Sequence, residues 1–226
     1  MPVTIRSYFW LHLKKCAGTS FRKSFNAYYT QTNRKKNPRP WHELPRAEWN
    51  DAINNYRIDL GRHDFKRMLY VKEHMFAPDE FESLYKFAIV RNPYDRAVSL
   101  WKYLNRSFIW RVNYLKMKFS FSYFLSQLPV MWTTKADRHI ALHTAPMWDD
   151  ITDDHGCLLL DGIYKLEEID REIITLNRAL GTDVALLSHA NRKRRFRNYR
   201  TFYTPRSKRL VEQLYENDIV ELGYSF

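Results

Sequence analysis

Residues 8–13, Tyr-Phe-Trp-Leu-His-Leu, run directly into Lys14-Lys15-Cys16-Ala17-Gly18-Thr19-Ser20, after which Phe21, Phe25 and Tyr28 recur at i, i+4 and i+7. The aromatic and apolar run predicts a buried strand, and the later spacing predicts an amphipathic helix. A strand, a loop with one glycine and a helix form a unit that aims backbone N–H groups at an anion. The chain has only 6 glycines in 226 residues, so a glycine placed in such a loop carries weight. The pattern G-x-x-x-x-G-K-[ST] is absent, so the loop is not a Walker A loop. Read without an anion, the same polar residues would merely cap the helix.

A second unit of this kind lies downstream. Phe87 to Val90 reads as a strand that ends at Arg91-Asn92-Pro93. Asn92 suits a helix N-cap, Pro93 the first helical position and Asp95 the first turn, with the helix continuing through Trp101 and Leu104. Arg91 stands at the C-terminal end of its strand, where open α/β sheets bind ligands. Ser99 lies two turns into the helix, and an Arg with a hydroxyl can take a phosphate. Taken alone, the pair reads rather as a surface ion-pair partner and a solvated serine.

Elsewhere, Met68 to Val71 reads as a strand ending near His74, and Leu158 to Leu166 as another. Ile169, Ile173, Leu176 and Leu180 form a helical stripe stopped by Gly181, and Thr204-Pro205 opens a last helix. Thr30 to Pro45 reads as a surface loop. The middle, Phe108 to Trp148, is aromatic with helical fragments. No repeat or linker divides the chain, so one domain over residues 1–226 is expected.

Lys and Arg number 37 against 25 Asp and Glu, a net charge of +12 that favours anionic partners without choosing among them. The most basic stretch is Asn191, Arg192, Lys193, Arg194, Arg195, Arg197 and Arg200. Two cysteines, Cys16 and Cys157, give no zinc spacing and no disulfide scaffold. Asp149, Asp150, Asp153 and Asp154 depart from the EF-hand spacing and read as a solvated turn. No apolar run reads as a membrane span and no signal peptide is evident. A cytoplasmic protein is expected, ahead of a Golgi-lumenal domain trimmed of its anchor.

Lys-x-Ala-Gly-Thr-Ser after a strand, followed downstream by Phe-Ala-Ile-Val-Arg-Asn-Pro-Tyr-Asp-Arg-Ala-Val-Ser, resembles the sulfotransferases that use 3′-phosphoadenosine 5′-phosphosulfate (PAPS). The nearer resemblance is to the carbohydrate branch, the heparan and chondroitin sulfate enzymes and their bacterial relatives. It implies an α/β, P-loop-like three-layer fold with a central, mostly parallel sheet flanked by helices. It also implies that Lys14, Lys15, Cys16, Ala17, Gly18, Thr19 and Ser20 hold the 5′-phosphosulfate, and that Arg91 and Ser99 hold the 3′-phosphate. Asn191-Arg192-Lys193 is similar to a late loop that closes over the nucleotide. Asp161 to Glu168 and Tyr203 to Tyr224 look like a later strand and the terminal helix of the family, while Arg106 to Leu160 is the least family-like stretch. Two departures stand out: Lys14 replaces a frequent proline, and a crowd of basic residues replaces one in the late loop.

For the chemistry, the resemblance implies in-line transfer of the sulfuryl group to a hydroxyl of a carbohydrate acceptor, with Lys15 stabilising the leaving group and no metal required. Relatives take the acceptor's proton with a His or Glu after the second strand, which points to His74, with Glu73 as alternative and His12, His63 and His143 behind them. Trp101, Trp110, Trp132 and Trp148 either stack on sugar rings or fill the core. Two rival readings remain. Cys16 to Arg22 fits the C-x5-R loop of cysteine-dependent phosphatases, although no Asp-Pro pair follows. The basic run fits a polyanion-binding protein, although a nucleic-acid partner is not expected.

Overall fold

The computed structural model describes residues 5–31, 40–55, 58–106, 115–185 and 198–226. They group into two compact units, residues 1–90 with 149–188 and residues 91–148 with 189–226.

The first unit is built on a sheet of three parallel strands in the order β1-β2-β3: β1 (Tyr8–Leu11), β2 (Tyr85–Val90) and β3 (Gly162–Lys165). Tyr8 pairs with Tyr85 and Leu11 with Ala88, while Phe87 pairs with Gly162 and Val90 with Lys165. The central strand is covered on both faces and reads as an almost continuous apolar run, as parallel strands do. Its exception, Lys86, is buried; its Nζ lies 3.0 Å from Asp161 and donates to the carbonyls of Phe81 and Leu84. Around the sheet lie α1 (Gly18–Ser24), α2 (Arg46–Asn54), α3 (Arg67–Tyr70), α4 (Pro78–Ser83) and the helix Ile169–Leu180. The last is stopped by Gly181 in the left-handed conformation (φ 70°), as its stripe of apolar residues predicts. The α/β class and the parallel sheet agree with the expectation from sequence.

Two strand readings change. Met68 to Val71 is not a strand: Arg67–Tyr70 is helical and Val71–Met75 is a π turn. Met68, Val71 and Met75 are among the buried residues, at a spacing of i, i+3 and i+7 that fits a helix, with Leu69 buried beside them; a short apolar run does not separate the two periods. Only Gly162–Lys165 of the 158–166 run is strand, with Leu158 forming an isolated antiparallel bridge to Thr152.

Asparagines on α2 fix its place beside β1. Asn50 and Asn54 both donate to the Trp10 carbonyl (2.8 and 2.7 Å), and the His12 N–H donates to Asn54 (2.7 Å). These bonds satisfy polar groups on the side of β1 away from β2, where no other strand pairs among the described residues.

The second unit opens with α5 (Pro93–Leu104), capped by the Asn92 side chain, which accepts from the Tyr94 N–H, with Pro93 in the first turn. Its core gathers Tyr94, Ala97, Val98, Leu104, Phe121, Phe124, Leu125, Leu128, Val211 and Tyr215. Trp101 and Trp132 pack against this core, donating to the Met117 carbonyl and the Thr144 hydroxyl. Both tryptophans therefore fill structure; Trp110 lies outside the described residues. The last long helix, Pro205–Leu214, is capped by Thr204 as the sequence predicts, and a short helix, Glu216–Val220, follows. Among the described residues, no helix is long and apolar enough to cross a membrane.

Candidate active site

Parallel pairing brings the C-terminal ends of β1 and β2 to one edge of the sheet. From β1 the chain passes through His12 and Leu13 into the loop, where Lys15 (φ 65°) and Ala17 (φ 61°) both adopt the left-handed conformation without being glycine. Each such residue costs about 1–2 kcal/mol, and strain of this kind persists where a site needs it. Closely spaced left-handed and turn residues point successive N–H groups into a common concavity suited to an anion. Gly18 then starts α1, with no room for a side chain: an added Cβ would fall 1.7 Å from His12 Nε2.

Cations converge on this loop. Arg67, from α3, is buried; its NH1 and NH2 donate to the His12 carbonyl (3.2 Å each), and Nε and NH2 donate to the Asp150 carboxylate (3.0 and 2.7 Å). Arg22, from α1, pairs with the fully buried Asp51 of α2 at 3.3 Å and lies over the Tyr29 ring. Lys14 feels the result. Burial, and then the positive charges of Arg67, Arg22 and Lys15, bring its ammonium down from 10.5 to about 7, with Asp150 opposing. The loop is thus a place where positive charge is crowded and where an anion relieves that crowding. The sequence offered no sign of the Arg67–Asp150 pair, whose members are 83 positions apart.

Cys16 is 1% exposed, and its Sγ faces the Lys14 carbonyl at 3.6 Å. The arginine of the C-x5-R pattern is Arg22, which is held by Asp51. The acidic run is likewise engaged: Asp150 holds Arg67, Asp153 accepts the N–H groups of His155 and Cys157, and Asp154 lies 3.6 Å from Arg62.

His74 and Glu73 lie on the π turn Val71–Met75, a kind of distortion common at functional sites. His63, from a short 3-10 turn, joins them: its Nε2 is 2.9 Å from Glu73 Oε2, and His74 Nε2 is 3.6 Å from the same oxygen. His12 stacks on Trp10 in the loop region. His143 lies in the other unit, bonded through Nδ1 to the His139 carbonyl and stacked on Tyr103.

In the second unit, Arg91 donates through Nε and NH2 to a single oxygen of Asp95, at 3.0 and 2.7 Å. Ser99 stands half-buried on α5, two turns beyond. Asn191, Arg192 and Lys193 lie outside the described residues.

A model of the sulfotransferase family matches residues 6–225 of the chain. Comparison with curated proteins finds none that matches, and comparison with solved structures finds none.

Proposed function

Since the chain belongs to the sulfotransferase family, whose reaction is sulfuryl transfer, we propose that its donor is PAPS and its acceptor a hydroxyl of a carbohydrate. The observation that carries the donor assignment is the loop of residues 14–20, where two strained non-glycine residues occur amid Lys14, Arg67 and Arg22. In this reading the loop from Lys14 to Ser20 holds the 5′-phosphosulfate. Arg91, the residue after β2, and Ser99 hold the 3′-phosphate, with Asp95 accepting from the Arg91 guanidinium. Asn191, Arg192 and Lys193 close over the nucleotide. Acidic stretches of a sulfated or carboxylated glycan suit the net charge of +12.

The chemistry follows from charge and position. Lys15 stabilises charge that builds on the departing phosphate oxygen. His74 takes the proton of the acceptor hydroxyl as its oxygen bonds to sulfur and the sulfur–phosphate oxygen bond breaks. Neutral imidazole suits that role near neutral pH. Glu73, 3.6 Å from His74 Nε2, holds the imidazolium that results and is the alternative base. No step requires a metal. The test is transfer from PAPS labelled in its sulfur to a panel of glycans; labelled product supports the reading, and no transfer to any hydroxyl-bearing glycan counts against it.

What weighs against the phosphatase reading is the sulfotransferase family match, which spans residues 6–225 and so takes in Cys16 and Arg22.

A further inference from the structure

His63 has no part in the mechanism above, yet it is the most firmly held of the three side chains around Glu73. Its side chain is 6% exposed, and its ring packs edge-on against Tyr70 and His74, with centroids 5.7 and 5.2 Å away. Its Nε2 lies 2.9 Å from Glu73 Oε2, and His74 Nε2 lies 3.6 Å from the same oxygen. One ligand atom from each of the three residues falls within 4.8 Å of the others. Two imidazoles and a carboxylate are a donor set that zinc takes when a fourth position is left to water. We propose that His63, Glu73 and His74 form a binding site for a zinc-class divalent cation.

The geometry needs little adjustment. A tetrahedral zinc ion with bonds of ~2.0–2.2 Å keeps its ligand atoms roughly 3.4 Å apart. Glu73 already stands near that range from both imidazoles, and the adjustment left is to bring ligand atoms that lie within 4.8 Å of one another into it. His74 has the freedom to do this, its side chain being 46% exposed. Binding leaves His63 with its proton on Nδ1 and its Nε2 lone pair on the metal. Arg62 also meets Glu73 Oε2, at 3.0 Å, but its side chain is 66% exposed and its other terminal nitrogen is 3.6 Å from Asp154, which retains it once the cation takes Glu73. Imidazole donors favour zinc, cobalt, nickel and copper over magnesium and calcium. Occupation consumes the lone pair of His74, so the bound cation switches the transferase off. This consequence rests on the assignment of His74 as base; the binding site itself does not.

The test is calorimetric titration with zinc chloride of the Cys157→Ser protein, which removes the exposed thiol as a competing ligand. One saturable site is expected, weakened at least tenfold by His74→Ala and by Glu73→Gln, since even groups behind metal ligands are worth ~10–100-fold. Both residues are exposed, and melting curves check that the variants fold. Cobalt in place of zinc should give visible absorption bands that disappear in the same variants. Absence of a saturable site, or equal affinity in the variants, overturns the proposal. Zinc should also lower sulfuryl transfer in step with occupancy, with recovery on adding a chelator; full turnover with zinc bound overturns the switching role. Binding of the desulfated donor product, which involves none of these residues, separates failure of the metal site from failure of the sulfotransferase reading.

Discussion

Gly18 lies so close to the His12 imidazole that a Cβ on it would fall 1.7 Å from Nε2. The ring has little room to retreat. It stacks on buried Trp10, and its backbone is held by Asn54 on one side and Arg67 on the other. Gly18→Ala should therefore push the loop out of shape as well as strain the core. Overpacking of this kind costs about 1–3 kcal/mol, and nucleotide affinity should fall further than stability does. A variant that binds the desulfated product, 3′-phosphoadenosine 5′-phosphate (PAP), with wild-type affinity would contradict this role.

Lys14 makes binding depend on protons. With its ammonium lowered to about 7, it is largely neutral at pH 8, and a bound anion must raise it again. Binding of PAP at pH 8 should thus be accompanied by proton uptake, because the nucleotide's own phosphates, with second pKa values near 6, are already ionised. Calorimetry in two buffers of different ionisation enthalpy measures this uptake, and Lys14→Met should abolish it. Without ligand, Lys14 also affects stability. Its folded value of about 7 lies below 10.5, so between the two the unfolded chain binds more protons. Its contribution to stability therefore rises with pH across that window, and its cost is fully present below it.

Asp150 anchors the base of the site. Its partner Arg67 is 1% exposed at the side chain, and removing one member of a buried pair costs about 3–5 kcal/mol. Asp150→Ala should lower Tm by an amount on the order of 10 °C. Paired replacement of both residues by apolar ones should restore most of the loss.

His74→Ala should retain PAP affinity while turnover drops by ~10²-fold or more. An unchanged rate would remove His74 as the base and leave Glu73 to be tested in the same way. Cys16→Ser should remain active, since the thiol is buried and Lys15 carries the chemistry.

Local signals made part of this legible beforehand. β1, its loop and α1 follow one another within a few residues, and Asn92-Pro93 is a cap that needs no distant partner. Met68 to Val71 is a four-residue apolar run that fits both periods, and Arg67 beside it meets Asp150, a partner far along the chain that no local pattern announces. For the same reason His63 gave no local cue of its pairing with Glu73; a 3-10 turn and a π turn bring them together. The strain at Lys15 and Ala17 was also invisible, because neither residue type announces a left-handed backbone.

The most direct test is calorimetric titration of PAP into the wild type, Lys15→Ala and Arg91→Ala. Saturable binding by the wild type, weakened in both variants, is the expected result. No binding by the wild type would contradict the donor assignment outright.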